Sequence, residues 1–186
     1  MKKKILFSIF IVLISLLIIS CSQNTAETVS DVETQEIIVP STNSSNWQEI
    51  DFADIITGQT FKITDFSGKI VLLESFAVWC PTCTRQQEHI QEFHSLATEI
   101  ITISLDTDPN ENIETVKNHI QSNNFEGIYA IAPREMTQSL IDEFGIRIVN
   151  APSVPIVLIC DTGDTRLLAR GLKNPEKLQQ EIVKGC

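Results

Sequence analysis

Apolar positions along this chain follow two different rhythms. "KIVLLESF" (69–76), "TEIITISLD" (98–106) and "VPIVLICD" (154–161) are short, nearly continuous apolar runs with many β-branched residues, the pattern of strands buried on both faces. Between them apolar side chains recur at helical spacing: Ile90, Phe93, Leu96 and Ala97, then Ile113, Val116 and Ile120, then Leu140, Ile141 and Phe144. After the Thr162-Gly163 turn, "RLLARG" (166–171) reads as a further strand. "NPEKLQQEIVKG" (174–185) reads as a closing helix, with Asn174 as N-cap and Pro175 at the first helical position. Strands alternating with helices predict an α/β domain, a sheet with helices on its faces.

The two ends of the chain follow other rules. Lys2, Lys3 and Lys4 precede an apolar stretch over 5–19 that is broken only by Ser8 and Ser15, and Ser20 and Cys21 follow. A basic start and a short apolar segment read as an export signal, and the stretch falls short of the roughly 18 residues expected of a membrane-spanning helix. Ile18-Ile19-Ser20-Cys21 resembles a lipobox, whose cysteine is lipidated and becomes the new N-terminus. Ordinary cleavage and an uncleaved anchor stay open, and all three put the rest of the chain outside the cytoplasm. Residues 22–46 are rich in Ser, Thr, Asn and Gln, with acids at Glu27, Asp31, Glu33 and Glu36 and no Lys, Arg or Gly. Such a segment buries too little apolar surface to offset its ordering entropy. As a flexible acidic tether it reaches roughly 25 to 30 Å. Three parts are therefore expected: a lipoprotein-type signal over 1–21, the tether over 22–46, and one domain over 47–186.

Charge narrows the partners. Setting aside the three N-terminal lysines takes 14 basic residues to 11 against 24 acidic ones, a net of −13. That balance excludes nucleic acid as a ligand and disfavours anionic lipid unless the anchor is covalent.

The candidate chemistry lies in "SFAVWCPTCTRQQEHI" (75–90), where an apolar run turns into a polar, helix-like stretch at Cys80-Pro81-Thr82-Cys83. A structural zinc site wants four ligands, and beyond this pair there are only His89, His94 and His119. No metal is expected. A staple across two intervening residues removes little chain entropy. A redox pair fits: at a helix start, Cys80 would meet the positive end of the helix dipole and free backbone N–H groups, which lower a thiol's pKa. Cys83, one turn further on, would then attack a mixed disulfide formed at Cys80. Asp106-x-Asp108-x-Asn110 resembles the start of a calcium loop, but Glu111 and Lys117 stand where Gly and Glu are needed, so it reads as a loop after a strand.

"DFSGKIVLLESFAVWCPTC" resembles the membrane-tethered, extracytoplasmic thiol:disulfide oxidoreductases of the TlpA and ResA type, with Gly-Lys before the strand and Trp-Cys-x-x-Cys after it. The resemblance implies a thioredoxin-like fold, a central mixed β-sheet flanked by helices. "DIITGQTFKITDF" (54–66), with Gly58 at its turn, resembles the family's N-terminal β-hairpin extension. Ser75-Phe76 departs from the family's two aromatics, and Glu74 stands where that subfamily often has Asn. Thioredoxins themselves carry a buried carboxylate at this place, six residues before the first cysteine. Apolar neighbours on both sides favour burial of Glu74 over a solvent-facing strand edge, and a buried carboxyl would have a raised pKa and could take the proton of Cys83.

The resemblance also implies a cis-proline opposite the cysteines. Of Pro152 and Pro155, Pro155 leads directly into "IVLICD", so Val154-Pro155 is the expected cis bond and the Val154 backbone the expected partner of an extended substrate. Trp79 and Pro81 complete the expected substrate-binding residues. In this topology the closing helix ends near the far end of the strand that carries Cys160, so Cys160 and Cys186 are a candidate structural disulfide, with two free thiols as the alternative. The activity implied is reduction of disulfides in exported proteins, for example apocytochromes, with electrons from a membrane carrier of the DsbD or CcdA type and no cofactor. A copper-handling protein that uses the pair as soft ligands is the competing class. It would need a third ligand, and beyond the signal the one methionine is Met136.

Overall fold

The computed structural model describes residues 46–186. The signal-like segment, Cys21 and the tether as far as residue 45 lie outside the described residues.

Five strands form the main sheet: β3 (Val71–Phe76), β4 (Ile101–Asp106), β5 (Ile128–Ile131), β6 (Ile156–Ile159) and β7 (Thr165–Leu167), in the order β5-β4-β3-β6-β7. The β3–β4 and β4–β5 pairs are parallel, whereas β6 runs antiparallel to β3 and β7 to β6. The sheet is therefore mixed, as expected. Before it lies the small hairpin of β1 (Phe52–Ala53) and β2 (Thr60–Phe61), with Phe52 opposite Phe61. Gly58 sits in its turn at φ 72°, a conformation glycine adopts without steric cost.

Four helices cover the sheet: α1 (Pro81–Leu96), α2 (Ile113–Asn123), α3 (Arg134–Phe144) and α4 (Pro175–Gly185). Their starts follow local chemistry. Asn112 and Asn174 cap α2 and α4 by accepting the N–H of Thr115 and Lys177. Pro81 and Pro175 sit at first-turn positions where a missing N–H costs nothing.

The alternation of a strand sorts the core into layers. Val71 and Leu73 point into a cluster with Ile103, Leu105, Met136, Leu140 and Trp47, on the α3 side. Leu72 points the other way, onto Ile90 and Phe93 of α1 and Leu178 and Ile182 of α4. A third cluster forms at the end of β3, where Phe76, Ala77, Cys80 and Cys83 meet Val116 and Ile120 of α2, Tyr129 of β5, and Ala151 and Val154. The cysteine pair is thus part of a packed layer.

Three findings depart from the sequence pattern. Hydropathy alone misses β5, a four-residue strand in an apolar run of five bounded by Gly127 and Pro133. Leu96 and Ile113, both at apolar helical positions, are 75% and 61% exposed; each is the terminal residue of its helix. The buried stripe of α1 instead runs through Cys83, Gln86, Gln87, Ile90 and Phe93.

At the far end of the sheet, Cys160 and Cys186 form a disulfide with Cα atoms 5.4 Å apart, tying the end of α4 to the end of β6. Arg166 of β7 also reaches α4, donating to Glu181 Oε2 at 2.9 Å and to the Glu181 carbonyl at 2.8 Å.

Candidate active site

Cys80 is the N-cap of α1. Its backbone is extended, and its Sγ accepts the N–H of Cys83 at 3.1 Å while its carbonyl takes the N–H of Thr84. The first-turn N–H groups of α1 lack partners within the helix, so they favour negative charge on whatever faces them. In the structure Cys80 and Cys83 form a disulfide, and both residues are almost inaccessible, at 1% and 0%. The local sequence explains the geometry: Pro81 presets the first helical turn, and the three-residue spacing brings the second sulfur beneath the first.

The segment leading into Cys80 is held by the loop after β4. Glu111 accepts the Val78 N–H at 2.8 Å and the Trp79 N–H at 3.4 Å, and the Trp79 indole donates to Asp108 at 2.6 Å. Trp79 is nevertheless 59% exposed, and Pro81 is exposed beside it. Both therefore flank the sulfurs on the outer surface. Asp108 and Glu111 also line a cleft of about 570 Å³, together with Pro109, Arg134 and Ile141. Behind them Asp106 is buried, with Oδ1 taking the Asp108 N–H and Oδ2 left without a hydrogen bond. Burial, reinforced by the Glu111 carboxylate, pushes its pKa up to about 7. Sequence spacing read 106–111 only as a loop; its grip on Trp79 depends on the tertiary approach of β4 to β3.

Opposite the sulfurs lies a 3-10 turn, Ala151–Ser153, ending at Val154. The Ala151 carbonyl is 3.2 Å from Cys83 Sγ, within reach of a thiol S–H once the pair is reduced. The expected cis bond is not present: no peptide bond among the described residues is cis, so Val154-Pro155 is trans. The chain reverses instead at Val154, which adopts the left-handed region at φ 44° and ψ 63°. For a β-branched residue that conformation is strained by about 1 to 3 kcal/mol. Nor is the Val154 backbone free for a substrate strand. Its N–H donates to Ala151 O at 2.8 Å, its carbonyl accepts from Lys173 Nζ at 2.9 Å, and the residue is fully buried. Pro155 is likewise internal, its carbonyl accepting the Ser75 N–H of β3 at 3.1 Å.

Glu74 is completely buried, on the face of β3 that it shares with Leu72 and Phe76. Ser104, its neighbour across β4, donates to Oε2 at 3.2 Å, and Oε1 has no hydrogen bond. Burial pushes the pKa of Glu74 up from 4.5 to about 8; the Ser104 hydroxyl and the charge of Lys173 pull the other way. Tyr129 packs in the same cluster as both cysteines, and burial first and the Glu74 charge second push its phenol up. A carboxyl of this kind is neutral below about pH 8 and able to exchange a proton near physiological pH.

A mixed sheet that ends in a cysteine pair at a helix N-terminus, with a buried carboxyl in the strand that leads into it, defines a thioredoxin-like thiol–disulfide oxidoreductase. The chain belongs to the Redoxin family, whose pattern matches residues 48–165, more than half its length. Solved structures share the fold at low identity. The exposed lipoprotein thioredoxin of Streptococcus pneumoniae is 16% identical with a TM-score of 0.60, over 73% of this chain and 98% of that one. A secreted disulfide oxidoreductase of Mycobacterium tuberculosis is 12% identical, TM-score 0.57, over 75% and 98%. StoA of Bacillus subtilis is 17% identical, TM-score 0.55, over 70% and 93%. No curated protein matches the chain. As for the competing copper chemistry, Met136 is buried in the core cluster of the α3 side, a different cluster from that of the cysteines.

Burial of Glu74 makes stability depend on pH with a definite sign. A carboxyl whose pKa is raised on folding stabilises the folded state below its unfolded pKa, near 4.5, and that contribution is lost as pH rises to about 8. Denaturant unfolding should therefore show stability falling by a few kcal/mol between about pH 5 and 8, at about 1.4 kcal/mol per tenfold change in protonation. Glu74→Gln should flatten that slope. An unchanged slope would mean that Glu74 is ionised in the folded protein.

Proposed function

We propose that this protein is a lipid-anchored, extracytoplasmic reductase of disulfides in exported proteins. The observation that carries the reading is the different setting of the two sulfurs: Cys80 at the mouth of α1, accepting the Cys83 N–H, and Cys83 underneath, against Ala151 O. A helix N-terminus stabilises thiolate at Cys80 in the reduced protein, and only a thiolate attacks a disulfide.

The reaction then runs in two steps. Cys80 thiolate attacks a substrate disulfide; the Cys80–substrate bond forms, the substrate S–S bond breaks, and one substrate sulfur leaves as thiolate. Next, Glu74 in its ionised form, a minority below about pH 8, takes the proton of Cys83, and Cys83 attacks Cys80 Sγ. The Cys80–Cys83 bond forms, the mixed disulfide breaks, and the second substrate sulfur leaves. Two electrons have passed from the protein dithiol to the substrate disulfide, and the protons end on the substrate thiols. Regeneration requires a dithiol donor, here a membrane carrier of the DsbD or CcdA type. Trp79 and Pro81, exposed beside the pair, offer the contact surface for the substrate. Apocytochromes are one class of exported substrate that fits this chemistry.

The location is supported by the signal-like residues 1–21 and by neighbours described as secreted and as an exposed lipoprotein. Replacing Cys21 by Ala should release the protein from membranes, as read by fractionation; retention in the membrane would favour an uncleaved signal helix.

The attack order has its own test. Cys83→Ser should accumulate a mixed disulfide through Cys80, isolated under non-reducing conditions, whereas Cys80→Ser should trap nothing. Trapping by the Cys80→Ser variant would reverse the roles of the two sulfurs.

A further inference from the structure

Lys173 lies between β7 and α4 and is 3% exposed, an unusual place for an ammonium group. Among the described residues it makes no ion pair within 4.0 Å. Its Nζ donates instead to two backbone carbonyls, Val154 O at 2.9 Å and Gly171 O at 2.7 Å. Its backbone is pinned too: Gln86 of α1, three residues after Cys83, donates to Lys173 O and accepts from Lys173 N–H, both at 2.8 Å. One residue therefore braces the helix that carries Cys83 against the turn that faces it. We propose that Lys173 is a positioning residue for the second exchange step, holding the Val154 turn against Cys83 and supplying the countercharge that lets Glu74 accept a proton. This rests on the oxidoreductase reading above.

Two lines of geometry carry the proposal. The first runs through the backbone. Val154 keeps a left-handed conformation that a β-branched residue adopts only when its surroundings over-determine it. Lys173 holds its carbonyl, Ala151 O holds its N–H, and that same Ala151 O lies 3.2 Å from Cys83 Sγ. Removing the ammonium leaves the Val154 carbonyl buried without its donor and frees the turn to relax away from the sulfur.

The second line is charge. Glu74 has one orphaned oxygen, and the nearby groups that bear on its charge are the Ser104 hydroxyl of β4, the Tyr129 phenol of β5 and Lys173. Lys173 is the one cation among them. Burial pushes the ammonium itself down to about 8, while Glu74 first and then Glu181 of α4 hold it up. Glu181 is already satisfied by Arg166 at 2.9 Å and Lys177 at 3.0 Å. Without Lys173, the ionised form of Glu74 loses its countercharge, so Cys83 would face a carboxyl that accepts a proton only at higher pH.

The test uses the full chain and a peptide disulfide as substrate, with capture by Cys80 and resolution by Cys83 followed separately against pH. Lys173→Met, which keeps the length of the side chain without its charge, should slow resolution at neutral pH by at least about tenfold. It should also move the midpoint of the resolution profile up by about one pH unit. Lys173→Arg, which keeps the charge, should return the midpoint toward the wild-type value. A midpoint that stays in place, or Met and Arg variants that behave alike, would overturn the proposal. A wild-type protein that captures no disulfide at all would instead overturn the oxidoreductase reading. Should Lys173→Met fail to fold, NMR titration of the Lys173 ammonium decides in the folded wild type and in Glu74→Gln. Its midpoint should lie below the ordinary lysine value of about 10.4 and fall further in the variant. An ordinary midpoint in both would overturn the proposal.

Discussion

Strand β3 is paired on both edges and buried on both faces, and in its fourth position it carries a carboxylic acid. Everything around the site answers to that constraint. A buried ionised carboxylate without a contact partner is costly, so the group keeps its proton or finds a cation. Ser104 on the neighbouring strand gives one hydrogen bond, Lys173 gives charge from further off, and one oxygen is left with nothing. An apolar residue would pack there at less cost, as Leu72 does two positions earlier. The acid is therefore held in the central strand at the expense of stability.

The two sulfurs divide the electrostatics of the site between them. Cys80, at the end of α1, meets the N–H groups of the first helical turn, which favour thiolate. Cys83 lies in the packed layer formed by Phe76, Tyr129, Ala151 and Val154, where charge is disfavoured and a base is needed. The ends of β3 and β4, the start of α1 and the turn before β6 converge here, each contributing a backbone group or a carboxylate. Asp108 and Glu111 fix Trp79 and Val78 from one side. The Ala151–Ser153 turn closes the other, braced by Lys173.

Much of this was legible from residues alone. The apolar runs at β3, β4 and β6 and the capped, proline-led closing helix follow from local rules, and so does the cysteine pair at a helix start. Burial of Glu74 followed from its place in an otherwise apolar strand. Other features depend on tertiary contact that no spacing encodes. Lys173 sits three residues past Arg170 in a stretch without periodicity, and its burial becomes apparent only when Gln86 and Val154 close around it. In place of the expected cis bond at Pro155 stands a left-handed Val154, whose two backbone groups are satisfied by the preceding turn and the lysine. The loop 106–111 has the composition of a solvated turn, and its role comes from lying next to Trp79.

The central claim is that Glu74 stays protonated at neutral pH in the folded, oxidised protein. Isotope-edited infrared or carbon NMR titration of the Glu74 carboxyl measures this directly, with Glu74→Gln identifying the signal. A midpoint near pH 8 is the expected result. A midpoint near the ordinary glutamate value of about 4.3 would contradict the account, since an acid already ionised at neutral pH is not held back by burial.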